Sequence, residues 1–163
     1  MKNTFILIAS IFFLSAINQN ISAQHTAIEH YTNKGLDCAI FPDTYPTELG
    51  GKAFIPSHED VNNAWKALTD NFKDLKCDNK DDKNEIIKNL AKYKVQIFGY
   101  ADKSGNKILF MNCFRNDGSK DKDLAITWLT EMIEVQDGGT YFWTIKYNLA
   151  TKELFDFKEN GNG

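Results

Sequence analysis

From Ser57 to Leu75 the apolar residues Val61, Ala64, Trp65, Leu68, Phe72 and Leu75 recur at helical spacing. Asn62, Asn63, Lys66, Asp70, Lys73 and Asp74 take the positions between them. A stripe of that period predicts a helix laid on a core. Ser57 stands at the cap position with Asp60 three residues on, the spacing of a capping box whose acid also favours the helix dipole. After the polar stretch Cys77 to Asp82, Ile86, Ile87, Leu90 and Ala91 give Lys83 to Tyr93 the apolar side of a shorter second helix.

From Lys94 onward the period falls to two, the mark of strands with distinct faces. Val95–Ala101 and Lys107–Phe114 flank Asp102-Lys103-Ser104-Gly105-Asn106, which suits a turn with a left-handed glycine and a bulge. In the register this turn imposes, Gly99 opposes Leu109 and Ile97 opposes Met111. One face of the hairpin then carries Val95, Ile97, Leu109, Met111 and Cys113, which suits the helix stripe. The other carries Phe98, Tyr100, Ile108, Phe110 and Phe114, interrupted only by Gln96 and Asn112. Leu129–Val135 and Thr140–Leu149 read as a further pair of strands around Gln136-Asp137-Gly138-Gly139, and Glu153–Lys158 as the last strand. In that final hairpin Tyr141, Trp143, Ile145, Tyr147, Phe155 and Phe157 share one face, while Thr144, Lys146, Asp156 and Lys158 share the other. The segment 24–55 holds two of the three prolines and no sustained period, so it is expected to be extended or looping. The fold class is α+β: one or two N-terminal helices, within 57–93, packed on a mostly antiparallel sheet of four or five strands within 94–160.

The first 23 residues have a different character. Lys2 precedes an apolar run from Phe5 to Ile17, and Ile21-Ser22-Ala23 follows a polar stretch. This is the n-region, h-region and small-residue cleavage site of a signal peptide, so residues 1–23 are expected to be removed and the protein to be exported, periplasmic or extracellular. The run is shorter than the roughly 20 residues of a membrane span, and no second one of that length follows, so no transmembrane segment is expected after signal removal. Residues 24–163 then form a single domain. Loss of Lys2 moves the net charge from −3 to −4. Without a basic cluster, nucleic acid is excluded as a partner, because neutralising phosphates requires one.

The stretches FGYADKSGNKILFMNCF (98–114) and DGGTYFWTIKYNLATKELFDFKENG (137–161) resemble the C-terminal half of small exported bacterial proteins that carry no assigned function. That resemblance spans roughly residues 94–161, supports the hairpins and implies no activity. The helix-then-sheet order is similar to cystatin-like folds. The cystatin inhibitory loop has Gln-x-Val-x-Gly, however, and in Val95-Gln96-Ile97-Phe98-Gly99 the Gln and Gly stand one residue too close. Protease inhibition is therefore not implied.

Few residues suggest chemistry. Cys38, Cys77 and Cys113 contain no CxxC, and if any pair is bridged, Cys38 with Cys77 is the expected one. His25, His30 and His58 lie in different settings with no metal-binding spacing, and Asp78-Asn79-Lys80-Asp81-Asp82 fails the calcium-loop pattern at several positions. No metal or cofactor is expected. A Cys38–His58 thiolate pair has nothing to orient its base. Ser57, Ser104 and Ser119 are accounted for by a cap and two turns. Glu131 and Glu134, on strand positions of opposite facing, would not converge on one substrate. The reading is a non-catalytic exported domain that binds an unknown partner, a protein or a second copy of itself, through a sheet face or edge. Phe98, Tyr100 and Phe110 are the candidate anchors on the apolar second face, unless Leu36, Ile40, Phe41, Tyr45 and Phe54 fold back to cover it. The rival classes are a hydrolase with a site assembled from scattered residues and a structural envelope component.

Overall fold

The computed structural model describes residues 27–45, 47–77, 80–115 and 127–161. The expected signal peptide 1–23, His25 and Ser119 lie outside them. The described strands are β1 (Glu29–Asn33), β2 (Leu36–Ile40), β3 (Ala53–Phe54), β4 (Lys94–Ala101), β5 (Lys107–Phe114), β6 (Phe142–Asn148) and β7 (Leu154–Glu159). Two helices, α1 (His58–Asn71) and α2 (Lys80–Asn89), fall between β3 and β4. The class is α+β, as the sequence indicates. The sheet is wider than four or five strands: its seven strands run in the order β1-β2-β4-β5-β6-β7, with β3 beside β4. The helices are also not strictly N-terminal, because the segment expected to be extended or looping supplies three strands between residues 29 and 54.

That segment forms strands for two reasons. Lys34 and Gly35, both at positive φ (44° and 85°), make a two-residue loop that folds β1 onto β2 from Asn33↔Leu36 to Glu29↔Ile40. β2 is buried on both faces, so it lacks the alternation that marks a half-buried strand. It pairs in parallel with β4 from Cys38↔Val95 to Ile40↔Ile97, the single parallel pair among the described strands. Further along the same side of β4, β3 pairs at Phe54↔Gly99. A Cβ at residue 99 would stand 2.5 Å from the Phe54 carbonyl oxygen, so this approach requires glycine.

The β4–β5 hairpin has the expected register, Gly99↔Leu109 and Ile97↔Met111. Its first face joins Leu36, Cys38 and Ile40 of β2 and Trp143, Ile145 and Tyr147 of β6 in a core closed by Val61, Ala64, Trp65 and Leu68 of α1, with Phe72, Ile86 and Tyr93. α1 begins as its sequence dictates. Asp60 N–H donates to Ser57 Oγ at 3.1 Å, and Ser57 N–H returns a bond to Asp60 Oδ2 at 3.1 Å.

Two departures lie near the C-terminus. The strand expected at Leu129–Val135 is not formed; the segment is a turn followed by irregular chain. In β7, Asp156 at φ 51° sits at a register shift opposite Thr144 and Lys146. The bulge moves Phe155 away from the core face, so it pairs with Lys146 and is 40% exposed, while Leu154 and Phe157 pack on the core instead.

Candidate functional site

Phe98, Tyr100 and Phe110, the expected anchors, lie together on the second face of the sheet, but the face is closed. Their exposures are 4%, 8% and 8%. Phe41 stacks on Phe98 with ring centroids 4.2 Å apart, and Tyr45 packs edge-on to Phe41 at 4.7 Å. Leu36, Ile40 and Phe54, expected to help cover this face, belong to the helix-side core. Further cover comes from Ile28 and Leu49 and from residues 127–135, with Trp128 buried and Leu129, Met132 and Ile133 half-buried against the same cluster.

The two polar residues of this face hold that cover in place. Gln96 and Asn112 oppose each other across β4 and β5, and both are buried. Gln96 Nε2 donates to the carbonyls of Trp128 (2.8 Å) and Glu131 (2.6 Å). Its Oε1 accepts from the Ile133 amide (2.8 Å) and from Asn112 Nδ2 (3.0 Å). Asn112 Nδ2 also donates to the Ile133 carbonyl at 2.7 Å. Gln96 thereby uses both donors and both acceptor positions of its amide. Two amides that look like flaws in an apolar face are the fastening for an irregular segment whose backbone would otherwise be buried unpaired. The sequence signal was present: two amides meet at one cross-strand pair.

Beside this cover, Glu48, Glu131 and Glu134 line a cleft of about 710 Å³ with Tyr45, Thr47, Leu49 and Met132. Glu131 and Glu134 therefore face one space, contrary to the strand-based expectation, because their segment does not alternate. A second cleft of about 600 Å³ lies where the β4–β5 and β6–β7 turns meet the end of α1, bordered by Asp74, Asp102, Lys152 and Phe155.

The Cys38 and Cys113 thiols are poor nucleophiles. Burial, with Asp37 and Glu29 nearby, pushes the Cys38 thiol up to about 12, and burial also raises Cys113. The expected Cys38–Cys77 bridge is not formed, with Cys38 buried in the sheet and Cys77 half-buried beyond the end of α1, and no other pair of the three cysteines is bridged. Cys38 and Cys113 flank Val95 on adjacent strands, about two strand spacings or ~10 Å apart, too far for a disulfide. The Cys38–His58 pair is not assembled either. His58 Nε2 instead lies 2.7 Å from Glu29 Oε1, and its ring stacks on Tyr31 at 4.1 Å. Among the described residues no group of three metal-ligating side chains occurs, and no described helix is long and apolar enough to cross a membrane.

The sheet edges differ from each other. β7 is bulged at Asp156, whose carboxylate meets Lys146 Nζ at 2.6 Å and Lys158 Nζ at 3.3 Å. β1 is regular over all five residues and held from both sides. On the helix side, Asn33 Nδ2 donates to Asn62 Oδ1 at 2.7 Å and Asn62 Nδ2 donates to Tyr31 Oη at 3.0 Å. On the other side His30 packs edge-on against Trp128 at 5.4 Å, with its Nε2 2.7 Å from Asp37 Oδ1. Lys94 also pairs with Asp37, linking β1, β2 and β4.

No family model, curated protein or solved structure matches this chain.

Proposed function

We propose that this chain is a non-catalytic exported domain that binds another protein by accepting one of its extended segments along β1. The observation behind this reading is that β1 ends the strand order as a regular edge. In a two-residue hairpin the closing pair Asn33↔Leu36 exchanges both ladder bonds, and bonded pairs then alternate. Tyr31 and Glu29 therefore face β2, while His30 and Thr32 turn their N–H and C=O groups outward. An added strand would bond there, as in other cases of β-augmentation. The clasp of Asn62 and Trp128 on β1 supports the reading further, since an edge already ordered loses little entropy on binding. β7 is a poorer acceptor, because its bulge and its Lys-Asp-Lys cluster are devices that discourage strand addition. The exported location rests on the n-region and apolar run of residues 2–17.

Thr32→Pro tests this directly, because it removes one outward N–H that β2 does not use, and proline is tolerated on edge strands. The mature domain and the variant, both immobilised, are presented with an extract of the source cell envelope. The expected result is a protein captured by the wild type and lost by a Thr32→Pro variant that keeps its circular-dichroism melting midpoint. Equal capture by the folded variant, or no capture by either, overturns the reading.

A further inference from the structure

We infer that residues 127–135 form a latched strap, a unit that unfastens from the sheet while the sheet stays folded and so uncovers the part of the aromatic second face beneath it. The strap has no strand pairing. Its internal bonds are those of a single turn, with the Thr130 and Glu131 amides donating to the Thr127 carbonyl at 2.8 and 2.7 Å. Its fastening to the sheet consists of side chains gripping backbone. Gln96 holds the Trp128 and Glu131 carbonyls and the Ile133 amide, and Asn112 holds the Ile133 carbonyl. From the flanking loop, Tyr45 Oη accepts from the Met132 amide at 2.9 Å.

Open space separates the strap from the loop 42–49. The cleft with Glu48 meets the strap at Glu131, Met132 and Glu134, and another of about 520 Å³, with Pro42 and Thr44 on the loop side, meets it at Leu129 and Thr130. Tyr45 borders both clefts, a pillar under a span. At the C-terminal end Asn160 Nδ2 holds the Val135 carbonyl, and the Gly138 and Gly139 amides donate to the Gly161 carbonyl at 3.1 and 3.2 Å, so the chain is anchored just beyond the strap. Beneath, β4 and β5 pair over eight positions, and β5 pairs with β6 over seven, without any help from the strap. A segment tied by a few side-chain bonds over a fully laddered sheet is the kind of unit that opens below the free energy of global unfolding.

Native-state hydrogen exchange in graded denaturant tests this on the wild-type domain. The Met132 and Ile133 amides report the strap and the Met111 amide reports the central ladder. The expected result is faster exchange at 132 and 133, with a weaker denaturant dependence than at Met111. Identical rates and denaturant dependence at all three overturn the proposal, because strap and sheet then open as one unit. Gln96→Leu provides a second reading. Three strap bonds are lost, each worth about fivefold in an opening equilibrium, so Ile133 protection falls on the order of 100-fold. Binding of an apolar dye rises while the far-ultraviolet circular dichroism of the sheet persists. Unchanged Ile133 protection in a folded Gln96→Leu variant also overturns it, and if that variant fails to fold the wild-type comparison decides.

Discussion

Replacing Gln96 by Leu removes a polar side chain from an otherwise apolar, fully buried position, and simple transfer reasoning gives this change a favourable sign. The structure gives the opposite sign. With the strap in place, four groups lose their partner: the Trp128 and Glu131 carbonyls, the Ile133 amide and one Asn112 N–H. At about 1–3 kcal/mol for each buried unpaired group, the closed state is destabilised by roughly 4–12 kcal/mol. Lifting the strap relieves that penalty by returning the groups to water, so the cost of lifting sets a ceiling. Only Trp128 of the strap is fully buried. Lifting gives up the three strap bonds to Gln96 at about 1 kcal/mol each, so the expected loss is about 3 kcal/mol, a large part of the 5–15 kcal/mol typical of a domain. Urea titration followed by circular dichroism measures it, with a reduced m-value because the native state already exposes part of the second face. A loss under about 1 kcal/mol, or a gain, with m unchanged refutes the reasoning.

Asp37 and the cysteines carry two further expectations. Burial tends to raise the Asp37 pKa, but bonds from Lys94 and His30 outweigh it and hold the carboxyl below its ordinary value. A depressed folded pKa gives stability that is present above about pH 4 and lost as pH falls further, so the stability gap between wild type and Asp37→Asn should close below about pH 4. The partners are partly exposed and the gap should stay under about 1 kcal/mol; a gap that widens on acidification contradicts the assignment. With a thiol reagent at mild alkaline pH, half-buried Cys77 should react in the native protein while Cys38 and Cys113 react only on unfolding. Fast native labelling of Cys113 would contradict its place in the core.

What the sequence disclosed followed how cleanly a segment faces two environments. α1 has one wet side and one dry, so its stripe, its Ser57 cap and its start were legible, as were the turn and register of β4–β5. β2 is dry on both faces and β1 is too short to establish a period, so the N-terminal hairpin left little trace beyond Lys34-Gly35. Residues 129–135 misled because charged and apolar residues roughly alternate there. Trp128, Leu129, Met132 and Ile133, spaced by one, three and one, follow a helical rhythm more closely than an alternating one, in keeping with the turn they form. The second face was legible as apolar, and so was its need for a cover. The cover's identity was not, because an irregular segment declares no period, and only the opposed amides of Gln96 and Asn112 marked where its backbone would be held.

The parallel pairing of β2 with β4 has a consequence for how the molecule comes together. β4 to β7 join through successive antiparallel neighbours, β4–β5 and β6–β7 by short turns, whereas Cys38 meets Val95 only after both helices have been laid between them. Closing that long loop costs entropy before any ladder bond offsets it, so the pairing belongs to a late step of folding. A chain emerging N-terminus first presents β1 and β2 early, and an isolated two-stranded hairpin is marginal in water. It has to wait, partly unmade, until β4 arrives. Cys38 is enclosed in the finished sheet but lies open during that interval, so chemical damage at this position would record the time a newly made chain spends waiting.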